Sequence, residues 1–209
     1  MKIKYITQIE KLKETELLAL LSAASVLRKE KYFAEILNTI IQKKISHKKV
    51  YEALLQTYLF AGFPSALISL KKFNEVVSRW KKYDGYDLHK YSNRGIKNCR
   101  MIYGNKFDKL ISNIKTFSPE MAEWLIVEGY GKVLGRKGLT LKEREVCIVS
   151  ILSALKYKDQ LYSHINGAFR VKVDFYLLQS VIANLQYIST KSAAKFGHKV
   201  LDIYLSKKN

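Results

Sequence analysis

The sequence predicts an all-α protein on three observations. Apolar residues recur at three- and four-residue spacing in almost every segment, no stretch sustains the alternation of a half-buried strand, and only 2 Pro and 10 Gly interrupt 209 residues. From the N-terminus, MKIKYITQIEKLKETELLALLSAAS reads as the first helix, because Glu10, Glu14 and Glu16 break its apolar run in a way wrong for a signal peptide. Ser46 is placed to cap a helix running to Ala61, Gly62 to stop it, and Pro64 to start the next, which reaches about Lys82 and meets a turn at YDGYD. Ser118-Pro119 puts a cap and a first-turn proline ahead of EMAEWLIVEGYGKV. Thr140-Leu-Lys-Glu143 is a capping box opening a helix to about Leu155, and Asp159 and Asp174 are available to cap the two helices that follow.

Composition narrows the class. Hydrophobic residues at 48% and charged residues at 26% suit a packed globular chain and are too apolar for a disordered one. The uncharged apolar run VCIVSILSAL is half the roughly 20 residues that cross a bilayer, and no membrane span is expected. Against 18 Asp+Glu stand 37 Lys+Arg, a net charge of +19 that raises the question of nucleic acid or anionic membranes. Thirty of those cations are Lys and 7 are Arg, the residue that reads phosphate and guanine in bidentate fashion, so a solvated Lys-rich surface is the preferred reading. Cys99 and Cys147 form neither a CxxC nor a disulfide framework, which points to a reducing cytoplasm.

The two halves look alike. Glu16-LLALLSAASVL, KYFAEILNTII and VYEALLQ follow the same order as Glu145-VCIVSILSAL, DQLYSHINGAF and DFYLLQ, with Leu54-Leu55-Gln56 and Leu177-Leu178-Gln179 as the anchor. The expectation is two tandem helical repeats packed as one unit. Residues 1–82 form the first repeat, 83–117 a basic helical connector and 118–209 the second repeat. Chance similarity among amphipathic helices is the alternative.

Glu145 is the most informative residue. On a helix it shares a face with Leu141, Ile148, Val149 and Leu152, which sets its carboxylate at the edge of an apolar stripe. Desolvation raises a carboxyl pKa toward proton-transfer work, whereas pairing with Arg144 or a nearby Lys is the bland alternative. His164 lies nineteen residues on, and Gly167 and Ala168 beside it allow a second backbone close approach. Two short antiparallel helices would then bring Glu145 and His164 together as an acid-base pair; taken singly, a histidine in such a seam is more often a satisfied core residue. His47, His89 and His198 assemble no metal-ligand spacing, and no metal site is expected.

YGKVLGRKGLTLKEREVCIVSILSAL followed by QLYSHINGAF resembles the carboxymuconolactone decarboxylase family of the alkylhydroperoxidase-D-like superfamily, and YLFAGFPSAL looks like that family's Tyr-Ala-Gly-Phe-Pro segment. The resemblance covers most of residues 118–190 and, more weakly, 14–72. It implies an all-helical protein and a homo-oligomer of trimeric or hexameric type. The peroxidase branch carries a CxxC between its Glu and His, where this chain has Tyr157 and Gln160, so a disulfide-coupled peroxide cycle is not expected. In the first repeat Glu16 stands at the place of Glu145, but Glu35 stands at the place of His164; Gly62-Phe63-Pro64 in turn corresponds to Asn184-Leu185-Gln186.

What remains resembles the decarboxylase-like branch, whose members act on small carboxylated lactones without a cofactor. Carbon dioxide leaves an electron-rich carbon that must be protonated; His164 would deliver the proton while Glu145 holds its tautomer. For a small anionic substrate Arg144 and Arg136 are the candidate cations, with ion pairing to Glu143 or Glu128 as their alternative, and Gln160 is the third candidate substrate-binding residue. Two other classes stay open. Residues 71–106 hold ten Lys or Arg and six aromatics, including Trp80, Tyr83, Tyr86 and Tyr91, a pattern that suits stacking on single-stranded nucleic acid, although a basic connector with packed aromatics is preferred. A catalytically retired oligomeric scaffold is the other.

Overall fold

The structure is a computed structural model that describes residues 7–77, 85–188 and 191–208. It is all-helical: α1 (Glu14–Val26), α2 (Glu30–Gln42), α3 (His47–Leu55), α4 (Tyr58–Val76), α5 (Leu88–Tyr103), α6 (Phe107–Lys115), α7 (Pro119–Trp124), α8 (Leu141–Leu155), α9 (Lys158–Arg170), α10 (Phe175–Asn184) and α11 (Lys191–Ser206). A π-helical stretch, Leu125–Val133, joins α7 to the turn before α8, and no strand occurs among the described residues.

Two helices form the centre. From Leu17 to Val26 in α1 and from Arg144 to Ala154 in α8 every residue is buried, and the two helices lie against one another. A helix apolar all round belongs in a core. Full burial of one Leu contributes about 1.5–3 kcal/mol, and Leu17, Leu18, Leu20 and Leu21 make α1 a hub on that account. Helices α2 and α3 pack on α1; α9, α10 and α11 pack on α8, and α10 also reaches α1.

Local signals set most of the boundaries. Ser118 Oγ accepts the Met121 amide at 3.2 Å, and Asp174 Oδ1 accepts the Leu177 amide at 3.2 Å. In the Thr140 capping box the hydroxyl accepts the Glu143 amide at 3.2 Å while Glu143 Oε2 accepts the Thr140 amide at 2.8 Å. Other expectations need correction. Asp159 does not cap α9, which begins one residue earlier with Tyr157 at the cap position. Ser46 occupies its cap position without a side-chain hydrogen bond, and the helix it opens stops at Leu55, where Thr57 Oγ1 turns back to the Leu54 carbonyl. The chain bends there by 119° into α4, and Gly62, at φ 73° and ψ 173°, interrupts α4 just before Pro64. That helix ends at Val76; the expected stretch to Lys82 and the first residues of the YDGYD turn lie outside the described residues. No single helix among the described residues is long and apolar enough to cross a membrane.

Helix α5 and the π-helical stretch touch backbone to backbone. A side chain at Gly95 would sit 2.2 Å from the Ile126 carbonyl oxygen, and one at Gly131 would sit 2.1 Å from that of Tyr91. Arg94 then reaches the carbonyls of Gly131 and Lys132, and Asn98 donates to that of Tyr130 at 3.0 Å. These bonds hold the connector on the second half of the chain.

Candidate functional site

Glu145 sits in the second turn of α8 and His164 in the middle of α9, and the two helices run side by side. Glu145 is 1% exposed and His164 8%. The His164 Nδ1 lies 2.9 Å from Glu145 Oε2. With Nδ1–H donating to the carboxylate, Nε2 is the atom left to do chemistry, and no partner of Nε2 occurs among the described residues.

Gly167 makes this meeting possible. A Cβ there would lie 2.9 Å from Glu145 Oε2 and 2.7 Å from Ile102 Cγ2, so the carboxylate and α5 both occupy the space of the missing side chain. The first half supplies a wall: Phe60, from the YLFAGFP segment, meets the imidazole edge to face with ring centroids 6.3 Å apart. Behind Glu145 stands a tyrosine pair, in which Tyr130 donates to Tyr103 at 2.9 Å. Burial pushes both phenols well above their ordinary range, and the negative charge of Glu145 adds to it, while the hydrogen bond from Tyr130 partly relieves Tyr103. These hydroxyls are therefore neutral dipoles at neutral pH. The tyrosines were not among the sequence-derived candidates; Gly104, which ends α5 next to Tyr103, is the only local mark they carry.

The arginines belong to a different centre. Arg144 is 1% exposed and donates to Glu52 Oε2 at 2.9 Å, to Gln56 Oε1 at 3.3 Å and to the Arg136 carbonyl at 3.0 Å. Arg136 binds the other oxygen of Glu52, also at 2.9 Å. Both guanidinium groups that were candidates for a substrate carboxylate are thus engaged with Glu52 on α3, and neither pairs with Glu143 or Glu128 as the alternative had it. Glu143 takes Lys49, and Glu128 takes Lys132 and Tyr58. Gln160 lies exposed near the start of α9, with no partner among the described residues.

Neither thiol is available for redox chemistry. Burial pushes Cys99 and Cys147 each up to about 12, and both are unpaired. No group of three or more His, Cys, Asp or Glu capable of holding a metal occurs among the described residues. In the basic segment Trp80 and Tyr83 lie outside the described residues. Tyr91 is buried, donates to the Gly85 carbonyl and carries the Arg94 guanidinium on its face, while Tyr86 meets Tyr91 edge to face. Tyr91 thus packs on protein, whereas Tyr86 stays 56% exposed.

Compared with known proteins, the chain matches no family model and no curated protein.

Proposed function

We propose that this protein is a cofactor-free acid-base decarboxylase or lyase of the carboxymuconolactone decarboxylase type, acting on a small carboxylated lactone or related acid. In this reading the bond to the departing carboxylate breaks and leaves its electron pair on the substrate carbon. An imidazolium at His164, held through Nδ1 by Glu145, gives the Nε2 proton to that carbon, and water restores it. The observation that carries the reading is the 2.9 Å contact between Glu145 Oε2 and His164 Nδ1 in a seam that admits little solvent. The occurrence of the quoted repeat helices as α1–α2–α3 and α8–α9–α10, in the same order around two touching hubs, supports a duplicated unit. Exposed Phe63, Leu67, Trp124 and Tyr176 support a homo-oligomer, and the unpaired thiols suit a reducing cytoplasm.

The test is carbon dioxide release from a panel of carboxylated lactones by the wild-type chain and by His164→Gln. Loss of about 10²–10⁴-fold in rate with an unchanged thermal melt supports the reading; equal rates in the two proteins, or no turnover of any lactone by wild type, overturn it. A second reading, a non-catalytic scaffold of the same superfamily, is favoured by the 8% exposure of His164 and the ring of Phe60 against it. Its mark is no turnover together with a lowered melt in His164→Gln.

A further inference from the structure

Where the last turn of α5, the first turn of α8 and the end of α9 converge, an open cleft of about 520 Å³ is lined by Lys142, Arg170 and Lys172 over an apolar floor of Met101, Leu141 and Val171. No Asp or Glu lines it, and none of the three cations has an acidic partner among the described residues. Arg170 is seated: Gly104, at φ 59°, leaves the space its guanidinium fills, since a Cβ there would lie 2.2 Å from Nη2, and Nε points to the Met101 carbonyl at 3.4 Å. The two terminal nitrogens, the bidentate face for an oxyanion, keep no protein acceptor. The wall at Leu141 and Lys142 is the first turn of α8, where the capping box serves Thr140 and Glu143 and the helix leaves the intervening amides unpaired. Seated guanidinium, two lysines and a positive helix end answer an anion, and the floor answers an apolar body. The volume is that of a small-molecule site.

We propose that this cleft binds an organic carboxylate with an apolar body, the head on Arg170, Lys172 and Lys142 and the body on Met101, Leu141 and Val171. The site does not depend on the acid-base reading of His164. Calorimetry on the full chain with octanoate, octanol and inorganic phosphate tests it. Octanoate binds, while octanol and phosphate each bind at least about tenfold more weakly, because each lacks one of the two recognition elements. The double variant Arg170→Gln/Lys172→Gln weakens octanoate by about tenfold or more. Met101→Glu, which puts a like charge on the floor, does the same. No octanoate binding, octanol or phosphate binding as tightly as octanoate, or undiminished binding in both cleft variants overturns the proposal.

Discussion

Glu16 and Glu145 each lie near the start of one of the two hub helices, yet they do different work. Glu16 is the third residue of α1 and Glu145 the fifth of α8. That offset of half a turn decides their chemistry. At the third position Glu16 Oε2 accepts the Lys13 amide at 2.9 Å, and its other oxygen takes the Ser180 hydroxyl and, at 3.4 Å, the Asn184 amide. On α8 the capping duty falls to Glu143, so Glu145 is released into the seam, where it meets an imidazole in place of a hydroxyl. Starting a helix two residues earlier is enough to free an acid from its cap and set it against an imidazole.

The largest expected difference between the hubs concerns their neighbours Arg144 and Thr15. Arg144→Met strips Glu52 of the buried one of its two counterions and should cost about 3–5 kcal/mol in urea unfolding, whereas Thr15→Met, half-buried on α1, should stay within about 1 kcal/mol. Next comes Gly167→Ala. Its methyl collides with Glu145 Oε2 and Ile102, for a loss of about 1–3 kcal/mol and disappearance of the His164 Nδ1–H···Oε2 signature in ¹⁵N spectra. Asn38→Ala, at an exposed place on α2, should be close to neutral. A similar loss of about 1–3 kcal/mol is expected for Glu145→Leu, which leaves Nδ1 buried without an acceptor, while Glu16→Gln keeps a carbonyl for its neutral donors and should cost under about 1 kcal/mol.

Acid titration probes the capping acid of α8 more finely. Burial works against ionisation of Glu143, but the hydrogen bond from Lys49 and those from Thr140 outweigh it, and its carboxyl lies below the ordinary 4.5. A carboxyl depressed by folding adds stability above its unfolded value and loses it as pH falls through the folded one. Urea midpoints should therefore drop less steeply below about pH 4.5 in Glu143→Gln than in wild type. The smallest effect is a chemical one: Cys147 and Cys99, both pushed up to about 12, should stay unreacted with a disulfide reagent at pH 8 until the protein unfolds.

How much of this was legible in the sequence follows from distance along the chain. Thr140, Ser118 and Asp174 act on amides three residues away, and their caps read directly from the residue types. Glu145 and His164 sit nineteen apart, close enough for apolar spacing and the small Gly167 to suggest one seam. Glu52, in contrast, is 92 residues from Arg144, and a search among nearby acids proposes Glu143 or Glu128 in its place. The π-helical stretch was equally hidden, since its shape depends on Arg94 and Asn98 from another helix taking its carbonyls. Asp159 failed as a cap because the cap position falls two residues earlier, on Tyr157, extended at φ -85° and ψ 95°.

The ring of Phe60 is carried by the first turn of α4, just past the bend from α3, on the opposite half of the chain from the imidazole it covers. Severing the polypeptide in the connector would leave the later half with its histidine open to bulk water along that edge. That edge stays dry only as long as the first half of the chain is held against it.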